Sequence, residues 1–181
     1  MTCPSETPPL PVRLYSVQPG MPITQALLSA RLGGREQVLA TSGDAEGVLW
    51  EAPPERVIER CYWVAAPGIE SHPRSLTRIR ALTDASGALV AWWQRSQVGP
   101  HRGGASWQLP VYVPHVSVYG VTSKNAPSWR TVRQLCTDHF IDEVARALGE
   151  DPMDYRRRWS RGGETGAGRG GREWAGVGVV V

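Results

Sequence analysis

Cys136 and His139 stand three residues apart in a segment of helical spacing, so a thiolate and an imidazole could face one metal ion there. A metal site needs further ligands at useful spacing, and His72, His101 and His115 are scattered through expected loops and strand edges. Core or surface roles for the pair are the simpler reading. Asp142 and Glu143 are adjacent carboxylates, but an acid–base pair must converge on one reacting atom. Neighbours on a helix point apart, so these two read as solvated charges. Gly166, Gly168 and Gly171 have the spacing of a dinucleotide-binding turn, yet no strand precedes them and no acidic partner follows. A serine hydrolase elbow, Gly-x-Ser-x-Gly, is not present. The Arg-Gly-Gly triplets at 161–163 and 169–171 have the composition of RNA-binding tails, with Trp174 as the aromatic beside them. Chance accounts for two triplets in so glycine- and arginine-rich a chain, and nucleic acid is not the expected partner. The pairs Tyr62-Trp63 and Trp92-Trp93 could stack a ligand. On a strand one member of each pair turns inward, so half of that surface is core.

The composition allows one domain with a real core. The chain has 181 residues, of which 41% are apolar and eight are Trp, while 20 Gly and 15 Pro imply extensive loop. A formal net charge of +3 does not demand a nucleic acid or an anionic membrane. Three cysteines, odd in number and far apart, argue against a disulfide framework and for a reducing compartment. No apolar run is long enough to span a bilayer, and the N-terminus lacks the pattern of a secretory signal. A soluble cytoplasmic protein is expected.

The elements that must position any site follow from local patterns. Residues 1–22 hold six prolines and read as a disordered arm. The spacing predicts a short helix over 23–32, stopped by Gly33 and Gly34. A short strand is expected at 36–40. A helix capped by Asp44 follows, with Val48 and Leu49 on its apolar face, and Pro53 and Pro54 end it. Residues 55–67 read as a strand. Residues 75–82 and 88–98, joined by a turn at 84–87, read as an antiparallel hairpin. The 115–121 segment is one more short strand. An amphipathic helix is expected near 134–148, with Phe140, Val144, Ala147 and Leu148 on one face and Ile141 beside them. Gly149 stops it. Asp151 then caps a second helix, 151–159, with Pro152 at its first position and Arg156, Arg157 and Arg158 at its negative end. The fold expected is α+β: a small antiparallel sheet with these helices, a domain over 23–160 and a Gly/Arg-rich tail over 161–181.

Several of these segments carry a resemblance. WRTV (129–132), FIDEVARALGEDPMDYR (140–156) and LTRIRALTDASGALVAWWQRS (76–96) resemble the molybdopterin-binding large subunit of the xanthine dehydrogenase and aldehyde oxidase family. The isoquinoline 1-oxidoreductase beta-subunit branch is the most similar. Residues 110–118 and 42–64 fit the same pattern, so the resemblance covers roughly 40–159. FIDE-x-A-x-x-L-G-x-DP is its most specific part.

The resemblance implies an α+β domain, a molybdenum cofactor and oxidative hydroxylation of N-heterocycles or aldehydes. Partners would be an iron–sulfur small subunit and the remainder of the large subunit. Trp129, Arg130 and Thr131 correspond to the family's loop near the cofactor, and a guanidinium at 130 could hold an anionic group by forked hydrogen bonds. The chain departs from the family pattern in several places. It is about four residues short between that loop and FIDE, roughly one helical turn. It is also shorter between Val64 and Ser75. Arg133 replaces a usual glycine, and Asp138-His139 replace Glu-Ser. The later pterin-binding loops and the catalytic glutamate have no counterpart. The expectation is a truncated domain, inactive alone and with no catalytic residue of its own. The alternatives are a non-catalytic interaction or RNA-binding protein, or a decayed gene product.

Overall fold

A computed structural model describes residues 13–17, 36–65, 75–99, 107–124 and 126–160. Six strands form one sheet: β1 (Arg13–Val17), β2 (Glu36–Ser42), β3 (Val57–Ala65), β4 (Ser75–Thr83), β5 (Leu89–Val98) and β6 (His115–Thr122), in the order β1-β3-β4-β5-β6-β2. The α+β class is as expected. The sheet is mixed rather than purely antiparallel, because β5 and β6 run parallel, with Trp92 opposite Val116 and Gln94 opposite Val118. A parallel pair needs a crossover instead of a tight turn. The crossover includes 107–113, where Trp107, Leu109, Val111 and Val113 are buried while Gln108, Pro110 and Tyr112 are exposed. This is strand periodicity outside the sheet; a single bridge joins Val111 to Ser160.

Two expectations change at the N-terminal side. Within the stretch read as a disordered arm, Arg13–Val17 pairs with β3 along its whole length. Proline spacing permits the strand: the five residues between Pro11 and Pro19 that form it contain none. The short strand at 36–40 extends to Ser42 and closes the other edge against β6. The expected helix at 23–32 and the Gly/Arg-rich tail lie outside the described residues.

The helices are α1 (Ala45–Glu51), α2 (Trp129–Val132), α3 (Asp138–Ala147) and α4 (Pro152–Trp159). Asp44 caps α1 through Gly47 N–H at 2.9 Å, and Leu49 is buried. A wide turn, Arg133–Thr137, joins α2 to α3, and Asp138 N–H reaches back five residues to the carbonyl of Arg133. The sequence demands that turn. Val132, Cys136, Phe140 and Val144 are all fully buried, as are Thr137, Ile141 and Ala145. A regular α-helix turns about 100° per residue, so positions four apart drift about 40° at each step. A turn closed over five residues takes the drift back and keeps both rows on the sheet.

The apolar face of α3 is Phe140, Ile141, Val144 and Ala145, which leaves Ala147 at its edge and Leu148 beyond its last turn. Ala145 is buried, whereas Ala147 and Leu148, expected inside, are exposed. Gly149, at φ +74°, ends the helix as expected, and Asp151 caps α4 through the N–H groups of Met153 and Asp154. Tyr155 seats α4 on the β4–β5 hairpin, its hydroxyl donating to the carbonyl of Gly87 at 2.9 Å.

Candidate functional site

The turn that carries Trp129, Arg130 and Thr131 is fastened to the end of β5. Ser123 N–H donates to Val98 O at 2.9 Å and Gly99 N–H to Pro127 O at 2.8 Å. A Cβ on Gly99 would stand 2.8 Å from the carbonyl oxygen of Ala126, closer than packing allows, so the approach requires glycine here. Ser128 then caps the helix, accepting from Thr131 N–H at 3.4 Å.

The three expected residues therefore share one helical turn but have different work. The Trp129 ring lies 5.3 Å from that of Trp107, with the Arg133 guanidinium carbon 5.4 Å from its centroid, a cation–π contact. The Thr131 hydroxyl bonds that of Ser128 at 3.1 Å. Arg130 is exposed, and its guanidinium has no partner among the described residues. It sits at the positive end of the helix dipole, so the turn can attract an anion. Trp107 is 4% exposed, and its indole N–H has no partner among the described residues.

Behind this turn lies a buried hydrogen-bond network that fixes its height over the sheet. Gln94 Oε1 accepts from Trp92 Nε1 at 3.1 Å and from Thr137 Oγ1 at 3.2 Å. Its Nε2 donates to Ser96 Oγ at 3.0 Å, and Thr77 Oγ1 donates to the same oxygen at 3.1 Å. Thr137 belongs to the wide turn, so the network anchors the irregular part of the helix to β4 and β5. The sequence reading missed Gln94, Ser96, Thr77 and Thr137. A Gln flanked by strand residues that alternate inward was the available signal.

Cys136 and His139 do not form a pair. The Cys136 thiol is fully buried beside Thr77, and burial pushes its pKa up to about 12, which leaves it protonated and a poor ligand. His139 turns to Glu143, Nε2 to Oε1 at 3.2 Å. Among the described residues no group of three or more His, Cys, Asp and Glu could hold a metal ion.

Asp142 and Glu143 do diverge, but they are not solvated charges. Asp142 accepts from Arg156 Nε at 2.8 Å, tying α3 to α4. Glu143 accepts from Arg60 Nε at 2.9 Å and from the Tyr62 hydroxyl at 3.1 Å, tying α3 to the sheet. Burial, and then the Glu143 charge, push the Tyr62 hydroxyl far above its ordinary pKa, so it stays a donor. Of the aromatic pairs, Tyr62 and Trp92 are wholly buried against Phe140, while Trp63 and Trp93 face the other side of the sheet. No described helix is long and apolar enough to cross a membrane.

No protein-family model matches the chain, and no curated protein matches it. Solved structures do. Quinoline 2-oxidoreductase from Pseudomonas putida 86 is similar at a TM-score of 0.35 and 26% identity, over 48% of this chain and 14% of its own. The aldehyde oxidoreductase from Desulfovibrio gigas is similar at 0.35 and 16%, over 50% of this chain and 12% of its own. The overlap is confined to about half of this chain, which spans only a small part of either enzyme's length.

Proposed function

We propose that this chain carries the framework of a molybdenum-hydroxylase large-subunit domain and works only when joined to further protein that supplies the cofactor loops. The activity of the assembled enzyme would be oxidative hydroxylation of an N-heterocycle or aldehyde, with electrons leaving through an iron–sulfur partner. The observation that supports this reading is the division of labour within 127–159. The residues most like the family's, Phe140 to Arg156, are spent on the core, a glycine stop, a cap and two ionic clamps. Arg130, in the position of the cofactor loop, is held out at the surface with its donors unspent.

The fit to a molybdenum cofactor is partial. When bound, the metal centre would supply the redox chemistry. Arg130 would grip one anionic edge of the cofactor by forked hydrogen bonds, while Thr131 and the Trp129 ring are committed to Ser128, Trp107 and Arg133. One guanidinium does not make a cofactor site, so no catalytic step is assigned to the chain alone.

The test is metal analysis of the chain purified from cells that make the cofactor. Alone, it should hold molybdenum far below one atom per chain. Co-expressed with the products of flanking reading frames, it should co-purify with them and with molybdenum, and Arg130→Ala should lower that content. Stoichiometric molybdenum in the lone chain would overturn the dependence on partners. A stable complex without molybdenum would overturn the family reading.

A further inference from the structure

On the face of the sheet opposite α3, a groove of about 310 Å³ opens between the end of α1 and strands β3 and β4. Leu49, Pro54 and Val57 make its apolar lining, Trp50 stands beside it, and Glu59 and Arg80 close one end. Two features are out of balance. Trp50 is 87% exposed, a large aromatic left uncovered at the mouth of a concave site. Glu59 is shared by two cations: Arg78 takes one carboxylate oxygen, and Arg80 Nε lies 3.5 Å from the other. Arg80 makes no hydrogen bond among the described residues, and its Nε is buried without one. Two guanidiniums against one carboxylate leave a net positive charge at the end of the groove. Cys61, next along the same face, does not offset it, because its buried thiol stays protonated.

The geometry points to a binding site for a small planar aromatic carboxylate, its ring stacked on Trp50 over Leu49 and Val57 and its carboxylate on the outer nitrogens of Arg80. A ring covers the exposed indole and the apolar lining, and the acid group supplies the missing anion through a forked contact. The volume is at the lower end for a small-molecule site, which suits a one- or two-ring acid. The site is separate from the turn at Trp129 and does not depend on the function proposed for it.

The test is a titration of the 15N-labelled full chain with 2-naphthoate, followed at the Trp50 indole N–H, which a Trp50→Phe variant assigns. The expected result is a saturable shift of that signal with 2-naphthoate, and at least tenfold weaker binding of the neutral 2-naphthamide. Arg80→Gln should weaken the acid at least tenfold and leave the amide unchanged. Trp50→Ala, an exposed change that spares the fold, should weaken both compounds, read in this variant from the backbone amides of Leu49 and Val57. Arg146→Gln, an exposed arginine on α3, should change neither. Equal binding of acid and amide, a shift that never saturates, or full affinity in Arg80→Gln or Trp50→Ala would overturn the proposal.

Discussion

At the residue scale, charges and glycines in this chain separate by what surrounds them. Asp142 accepts a hydrogen bond from Arg156 in a half-buried setting. Asp142→Ala should therefore cost about 1 kcal/mol, after allowing for solvent screening, as read by urea denaturation. Asp138 is close to the same arginine but responds differently. Burial holds its carboxyl above the ordinary range, with Arg156 and Arg133 opposing. A raised folded pKa gives a stabilising term that is full below the unfolded pKa and lost as pH rises through the folded value. Asp138→Asn should accordingly leave stability unchanged or raised at neutral pH and flatten its slope in the weakly acid range. A clear loss at neutral pH would show that pairing with Arg156 outweighs burial. Two glycines make a similar contrast. Gly99→Ala sets a methyl against backbone carbonyls and should cost about 1–3 kcal/mol by overpacking. Gly120→Ala meets the far end of Leu39 at 2.9 Å, a flexible side chain that can move, so its melting temperature should fall less.

At the scale of elements, the wide turn at Arg133–Thr137 is the feature that local patterns do not announce. It amounts to one extra residue in an otherwise α-helical run. Deleting Gln134, which is exposed, should close the turn to α-helix, keep both flanks on their rows and leave unfolding cooperative. Inserting one alanine after Asp142 should do the reverse, rotating Val144 and Ala145 about 100° out of the core and costing several kcal/mol. Circular dichroism melts of the two variants decide the matter. Strands β3 to β6, the caps at Asp44 and Asp151 and the stop at Gly149 were legible, because each depends on a residue and its near neighbours. The burial of Ala145 in place of Ala147 and Leu148 was not, because it depends on how the helix is rolled against the sheet and on its ending at Leu148. In β4, the apolar spacing Leu76, Ile79, Leu82 comes from two faces of a strand, and Leu76 and Ile79 are each covered on their own face.

At the scale of the molecule, one core joins the sheet, the crossover segment and both C-terminal helices. Phe140 sits at its middle, edge-on to Trp92 at 5.1 Å and to Tyr62 at 6.5 Å. Phe140→Ala should cost about 3–5 kcal/mol. Amides of β4, β5 and α3 should lose protection from hydrogen exchange together. Loss confined to the helices would show that the sheet folds by itself. The crossover leaves no local pattern, since the parallel β5–β6 pairing exists only once the returning strand lies beside its neighbour.

The sequence by itself determined the identity and order of most elements, the glycine stop and helix caps, and the segments that resemble a molybdenum-hydroxylase subunit. Those signals are short-ranged, resting on spacing, capping and backbone preference. Only the tertiary structure decided which side chains are spent and which remain available. It placed Asp142 and Glu143 in clamps rather than in solvent, sank Cys136 out of reach of any ligand, and left Arg130 with its donors unused. Availability is set by partners distant in the chain, 83 residues away for Glu143 and Arg60, and no local pattern records them.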